Sequence, residues 1–582
     1  MGSVRPRPFT SSRRKTYPRR SGNPTIVAER RDDAESAADS GTGVEMPDSP
    51  SEPSLTDRLR AALRRRIGID PRALAAFRIA LGVVLLVDLA LRARNLTAFY
   101  TDAGVLPRSL LAESYPLARF SLHALSGDAW AVGLLFLLAA LAAAALAIGY
   151  RTRLAAAASL VLLASLQARN PFVLNAGDTL LWQALGAGLL CPLGARWSVD
   201  AVRRRGAALE GRSPTGRSRF AGPASALLLA VVLSVYVSNA VVKLRGEAWP
   251  AGEAVETVFR LTYLHGPLGG LVPESPALLA AATYGWLALL VASPLLVAAA
   301  GRIRTALAGT LVVAHLSMAF TLQIGVFSLV SATALLPFFP PFVWDRAESL
   351  AAPAIGRFRS AVERRATSPG VGSAATSRRL LPAQAARAAR AVRDPALSAV
   401  AAVLLVSLLA WTAMGLGVVD APEPVAAVSD PAESDWDMFA PEPPSADDLV
   451  LATATTVDGD RIDALYGDPV AADRPPSDAR GYPTARWRKH FSLLSADDAD
   501  RVDATLAHLC GRAAGFSGTE TESVTVSSVE VDVSGSGGVR VRTVDARECR
   551  EGSDRKADLI ASDWALTLLT DHLWVLHAKL AT

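Results

Sequence analysis

Apolar residues run almost unbroken for bilayer-length stretches near 73–92, 130–149, 154–170, 177–193, 223–244, 277–299, 303–322, 325–343 and 397–419. Roughly 20 apolar residues in a helix cross the hydrocarbon core, whereas a helix of a soluble domain carries a polar face that interrupts such runs every few positions. The pattern predicts an all-α polytopic membrane bundle of about nine spans. Within 154–193 and 303–343, a pair of short spans reads equally as re-entrant helices.

After residue 420 the pattern changes. Residues 421–444 are acidic and Pro-rich, predicting an extended linker, and a period of two then takes over. LVLATATTVDGDRIDAL reads as a β-hairpin turning at Asp458-Gly459, and VTVSSVEVDVSGSGGVRVRTV as a second one about a Ser/Gly turn. RVDATLAHLCGRAA and WALTLLTDHLWVLHAKL read as helices, the latter too polar at Asp571 and His572 to span. Residues 445–582 are thus expected to form a small extracytoplasmic α+β domain. At the other end, residues 1–57 are rich in Arg, Ser, Pro and Asp and lack an apolar signal core, predicting a disordered cytoplasmic tail. Between these ends lie a transmembrane domain at 58–345, a cytoplasmic basic loop at 346–395 and a last transmembrane helix at 396–420.

Composition sharpens this picture. The chain has 582 residues, 51% hydrophobic, and a formal charge of +5. Its arginines cluster in connections between apolar runs, such as RLRAALRRR, YRTR and GRIR, so the charge reports topology and no nucleic-acid partner is expected. These connections fall alternately on one side. The positive-inside rule then places the N-terminus in the cytoplasm and, with an odd number of spans, everything after residue 420 outside. No internal repeat is visible, which weighs against a transporter. Of the three cysteines, Cys191 sits at a span end as packing. Cys510 and Cys549 fall together in the domain expected outside the membrane, either as a disulfide or as two reduced core thiols. No spacing of His, Cys and carboxylates suggests a metal site.

Candidate chemistry centres on VYVSNAVVKLRGEAWPAG, where Lys243 ends an apolar run that begins near Pro223. Such a lysine snorkels to the interface, finds a partner or loses its proton, and only the last option makes it a base. Tyr236 lies two helical turns earlier on roughly the same side, Trp249 anchors an interfacial turn that shields the lysine, and His315 is a second polar residue inside an apolar run.

Four motifs in order, FRIALGVVLLVDLALRARNLTAFYTDAGVLP, RNPFVLNAGDTLLWQALGAGLLCPLGARWSVDA, VYVSNAVVKLRGEAWPAG and HLSMAFTLQIGVFSLV, resemble the horizontally transferred transmembrane domain family. That family includes the membrane portion of the vitamin K-dependent γ-carboxylase. WDMFAPEPP at 436–444 is similar to the tail of its prokaryotic members. The resemblance implies a catalytic base at Lys243, a reduced membrane quinone such as a menaquinol or vitamin K-like quinol as cofactor, and a matching histidine at His315. Arg78, Asp88 and Tyr100 also match family positions, and Arg78 with Asp88 reads as a structural charge arrangement within the membrane. The family's Asn-His pair is replaced here by Asn175-Ala176, which departs from the pattern for glutamate carboxylation. Asp178 is then the candidate electrostatic partner of Lys243, or else pairs with Arg169 or caps the following helix. Asn175 joins Tyr236 and Trp249 as a candidate for the quinol pocket.

The leading expectation is an integral membrane, quinol-oxidising protein with membrane lipid as its surroundings and an extracytoplasmic protein as a partner of the C-terminal domain. A non-catalytic membrane scaffold that keeps the fold is the alternative, and a transporter the third.

Overall fold

The computed structural model describes residues 54–208, 219–366, 383–427, 429–431, 436–470, 479–494, 498–534 and 538–549. The expected disordered tail lies almost wholly outside this set, as does the expected helix at 564–580.

Among the described residues, five helices are long and apolar enough to cross a membrane, or six if one bent pair forms a single span, so the expectation of about nine spans is incorrect. After a basic helix α1 (Leu55–Ile67) come α2 (Pro71–Ala93), α3 (Ala129–Ile148), α4 (Thr152–Arg169) and α5 (Ala176–Leu189). They are followed by α6 (Pro223–Arg245), α7 (Pro276–Val291), α8 (Gly301–Thr321), α9 (Phe327–Ala334), α10 (Pro341–Ala366) and α11 (Ala383–Gly415). The long apolar set is α2, α3, α6, α8 and the Arg393–Gly415 part of α11.

Each lost span has a physical cause. At 154–170, α4 is flanked by Arg153 and Arg169 and carries Gln167, and Arg169 is fully buried, donating to the carbonyls of Leu106 and Thr101. At 177–193, α5 has 14 residues, about 21 Å at 1.5 Å per residue, against a hydrocarbon core of about 30 Å. At 277–299, the helix stops at Val291, and Ser293-Pro294 opens a separate short turn. At 325–343, the chain bends by 106° between Phe327–Phe338 and Pro341–Pro353, where Pro340 and Pro341 interrupt the helix.

The long helices expose large apolar side chains that a water-facing protein would cover: Trp130, Leu141, Val313 and Val403 are each more than half exposed. The protein is a multi-pass membrane protein whose bundle surface suits lipid contact. Close packing within the bundle is visible at Gly82 of α2, where a Cβ atom would lie 2.8 Å from the Ala143 carbonyl of α3.

The C-terminal region is an open, four-stranded antiparallel sheet in the order β2-β1-β3-β4, with β1 Ala446–Thr456, β2 Arg461–Asp463, β3 Thr521–Asp532 and β4 Val539–Glu548. β1 and β2 form a hairpin whose turn contains Gly459 in the left-handed region, and β3 and β4 form the other. The strands joined at the centre are β1 and β3, with Thr453 opposite Thr525. Helices α12 (Ala485–Ser492) and α13 (Ala499–Ser517) bury Trp487, Leu506 and Leu509, and Cys510 of α13 is disulfide-bonded to Cys549, just past β4. One contiguous apolar core runs from Ile69 of the bundle to Val526 of the sheet. The sheet domain therefore rests on the bundle rather than hanging from it.

Candidate functional site

Lys243 lies in the last turn of α6 and is 1% exposed. Its ammonium donates to the Met438 carbonyl at 2.6 Å and the Phe439 carbonyl at 3.3 Å, and it sits 4.0 Å from the centre of the Trp249 ring. The Trp249 indole donates to the same Phe439 carbonyl at 2.7 Å. One turn earlier, Asn239 donates to the Trp436 carbonyl at 2.7 Å. Thus WDMF, residues 436–439, folds back over the end of α6 as a cap of backbone oxygens. Phe439 has φ +57°, a left-handed conformation that bulky residues rarely adopt. Among the described residues no carboxylate forms a close ion pair with Lys243: it touches two carbonyl dipoles and a π face, while the Asp437 carboxylate of the cap acts on it from farther off.

Beneath the cap lies a cavity of about 340 Å³. Tyr236, Asn239, Lys243 and Trp249 line one part of it and Trp286, His315, Met318 and Phe327 another. The Tyr236 hydroxyl and His315 Nε2 are hydrogen-bonded at 2.9 Å, and the Trp286 and Phe327 rings stand edge-on to the imidazole. His315 Nδ1 has no protein partner among the described residues. Ala282, Gly285 and Ser317 line the cavity and are themselves exposed, so it reaches the surface of the bundle.

A second buried cluster is separate from the first. Asp88 and Arg92, one turn apart on α2, pair at 2.6 Å; Arg92 also binds Asp178 and donates to the Tyr100 hydroxyl at 2.9 Å. Arg486, from α12 of the sheet domain, reaches in to Asp88 at 2.9 Å, Asp178 at 3.2 Å and the Val173 carbonyl at 3.2 Å. Two cations and two anions balance, which is the condition under which buried charges persist.

Residues 67–344 match the HTTM domain family. Both clusters draw on that match: Lys243, Trp249, Tyr236 and His315 lie within it, as do Asp88, Arg92 and Asp178. The groups that complete them, Met438, Phe439 and Arg486, lie outside it. No curated protein and no solved structure matches the chain.

Of the residues singled out from sequence, the HTTM region brings Lys243, Tyr236, Trp249 and His315 to one cavity. Asp178 is elsewhere: it belongs to the charge quartet and accepts from the Asn175 amide at 2.9 Å, while the Asn175 side chain accepts from Gly177, closing a capping box at the start of α5. Neither residue lines the cavity. Arg78 does not meet Asp88; it donates to the Trp197 carbonyl at 2.6 Å. Sequence reading overlooked Asn239, Arg92, Arg486 and the cap carbonyls. Asp88 and Arg92 did carry a signal, opposite charges four apart in an apolar helix. Arg486 carried none, because it sits among other polar residues in ARWRKHFS.

Proposed function

We propose that the cavity takes the ring of a reduced membrane quinone as substrate, with Lys243 in its neutral form as the base that accepts a proton from a quinol hydroxyl. The observation that carries this reading is the amine on the wall of an otherwise largely aromatic and aliphatic cavity that opens to the bundle surface. A cavity of about 340 Å³ lies within the range of small-molecule sites. An isoprenoid tail would leave past Ala282 and Ser317 into lipid. The Tyr236–His315 pair supplies a polar hydrogen-bonding edge opposite the lysine. In this reading residues 58–345 are the catalytic bundle, and the sheet domain faces outside and offers a surface to a protein partner.

One observation favours a second reading, in which the bundle is a non-catalytic scaffold. Both carbonyls of the cap accept from the Lys243 ammonium, so the lysine also serves as a clamp for residues 436–439. The test compares wild type, Lys243→Ala and Lys243→Arg in nanodiscs, at matched thermal stability, for oxidation or epoxidation of a reduced naphthoquinone. A base requires loss of turnover in both variants, because guanidinium stays protonated. Equal turnover in all three sinks the base assignment, and no turnover in wild type, with no quinone co-purifying by lipid mass spectrometry, supports the scaffold.

A further inference from the structure

A second cavity, of about 390 Å³, that the proposed chemistry does not use is lined in part by Arg219, in the segment that leads into α6. It is formed where α1 ends, where α2 and α8 begin, and where the chain runs from Pro337 to Pro341. Arg65, Arg66, Arg219 and Arg304 line it, with Asp70 as the one acid among the lining residues. Asp70 is already committed: both its oxygens accept from the Arg72 guanidinium, at 3.1 and 2.9 Å. The cavity therefore carries an excess of positive charge. We propose that it binds the phosphate of an anionic phospholipid headgroup.

Three observations support this. Arg304 is 6% exposed, and although Nη1 donates to the Arg66 carbonyl at 3.0 Å, its Nε and Nη2 have no hydrogen-bond partner among the described residues. A buried guanidinium with two idle donors is costly, and phosphate oxygens match that fork. The first turn of α8 adds amide donors that no side chain caps, at the positive end of a 21-residue helix. The location selects the source of the phosphate: α2 and α8 are of membrane-spanning length, so the ends that meet here lie at the level of headgroups, and Pro337, Phe338 and Pro340 form an apolar wall suited to a glycerol backbone.

The test uses the full chain in detergent and native mass spectrometry with dioleoylphosphatidylglycerol against dioleoylphosphatidylcholine. Wild type should retain the anionic lipid at least roughly tenfold better, and Arg65→Gln/Arg66→Gln should erase most of that preference. Both side chains are exposed and both backbone carbonyls are kept, so the variant should fold, which its melting temperature verifies. Arg302→Gln, on the same helix but outside the cavity, should leave the preference intact. A thermal shift with inorganic phosphate separates the sources: a shift without lipid preference assigns the cavity to a free phosphate anion and overturns the headgroup. Equal retention of both lipids, or equal loss in Arg302→Gln and the double variant, also overturns it.

Discussion

Lys243 donates to the carbonyl oxygen of Met438 at 2.6 Å, across 195 residues of chain. The two ends of the cap are held by different side chains, Asn239 at Trp436 and Lys243 with Trp249 at Met438 and Phe439. Removing the lysine should loosen the cap without unfolding the bundle. A Met438→Cys protein should be labelled slowly by a membrane-impermeant maleimide, and at least about tenfold faster when Lys243→Ala is added. The natural cysteines stay silent, because Cys191 is buried and the other two are bonded. Identical rates would mean that the lysine does not hold the cap.

Arg486 is the single sheet-domain cation in the buried quartet. Arg486→Met leaves two carboxylates facing one arginine, and loss of one partner from such a cluster costs about 3–5 kcal/mol. Adding Asp88→Asn restores charge balance and should recover part of the melting temperature. A double variant less stable than the single one would show that the cluster is not governed by net charge.

Two histidines outside the membrane-spanning helices set an acid limit. Burial pushes His490, bonded to Thr505, down to about 3, and His508, bonded to the Ala103 carbonyl, down to about 4. Both are neutral when folded and take up protons on unfolding. Their contribution is therefore complete above the unfolded value near 6.5 and is lost as pH falls toward 4, at roughly 1.4 kcal/mol per pH unit for each. The melting temperature of the sheet domain should fall as pH drops through that window, and fall less in His508→Gln. A melting temperature flat from pH 7 to 4.5 would contradict this.

With the five spans among the described residues, an odd number, the arginine-rich connections predict opposite sides for the two termini. We expect a reporter that is active only in the cytoplasm to be silent when fused after Thr582 and active at the N-terminus. The reverse pattern would invert every assignment of side, including that of the sheet domain.

Five spans were legible because their apolar runs are long and uninterrupted, and hydropathy measures that property directly. Two of the others failed where prolines end a helix, at Ser293-Pro294 and at Pro340-Pro341, one because its helix is too short, and one because charged residues sit at its ends. The hairpins could be read from period-two valines and Gly459, but the β1–β3 pairing between them could not, since local pattern does not encode which strands become neighbours. In the cavity, Lys243, Tyr236, Trp249 and His315 stood out as polar or amphipathic residues in apolar surroundings. The oxygens that meet Lys243 are main-chain atoms and leave no trace in residue identity; of the roles read for Asp178, capping α5 is the one the structure shows, while its ion pairing with Arg486, 308 positions away, left no local signal.

The long reach of these closures also bears on how the chain is made. At 5–20 residues per second, the 195 residues separating Lys243 from Met438 take roughly ten seconds or more to synthesise. During that interval the inserted helices hold an uncapped ammonium and, without Arg486, two carboxylates against one guanidinium. A chain stopped after Gly415 would thus be an electrically unfinished bundle rather than a smaller version of the same protein. Selection on the early helices cannot then be independent of selection on the late segment that neutralises them.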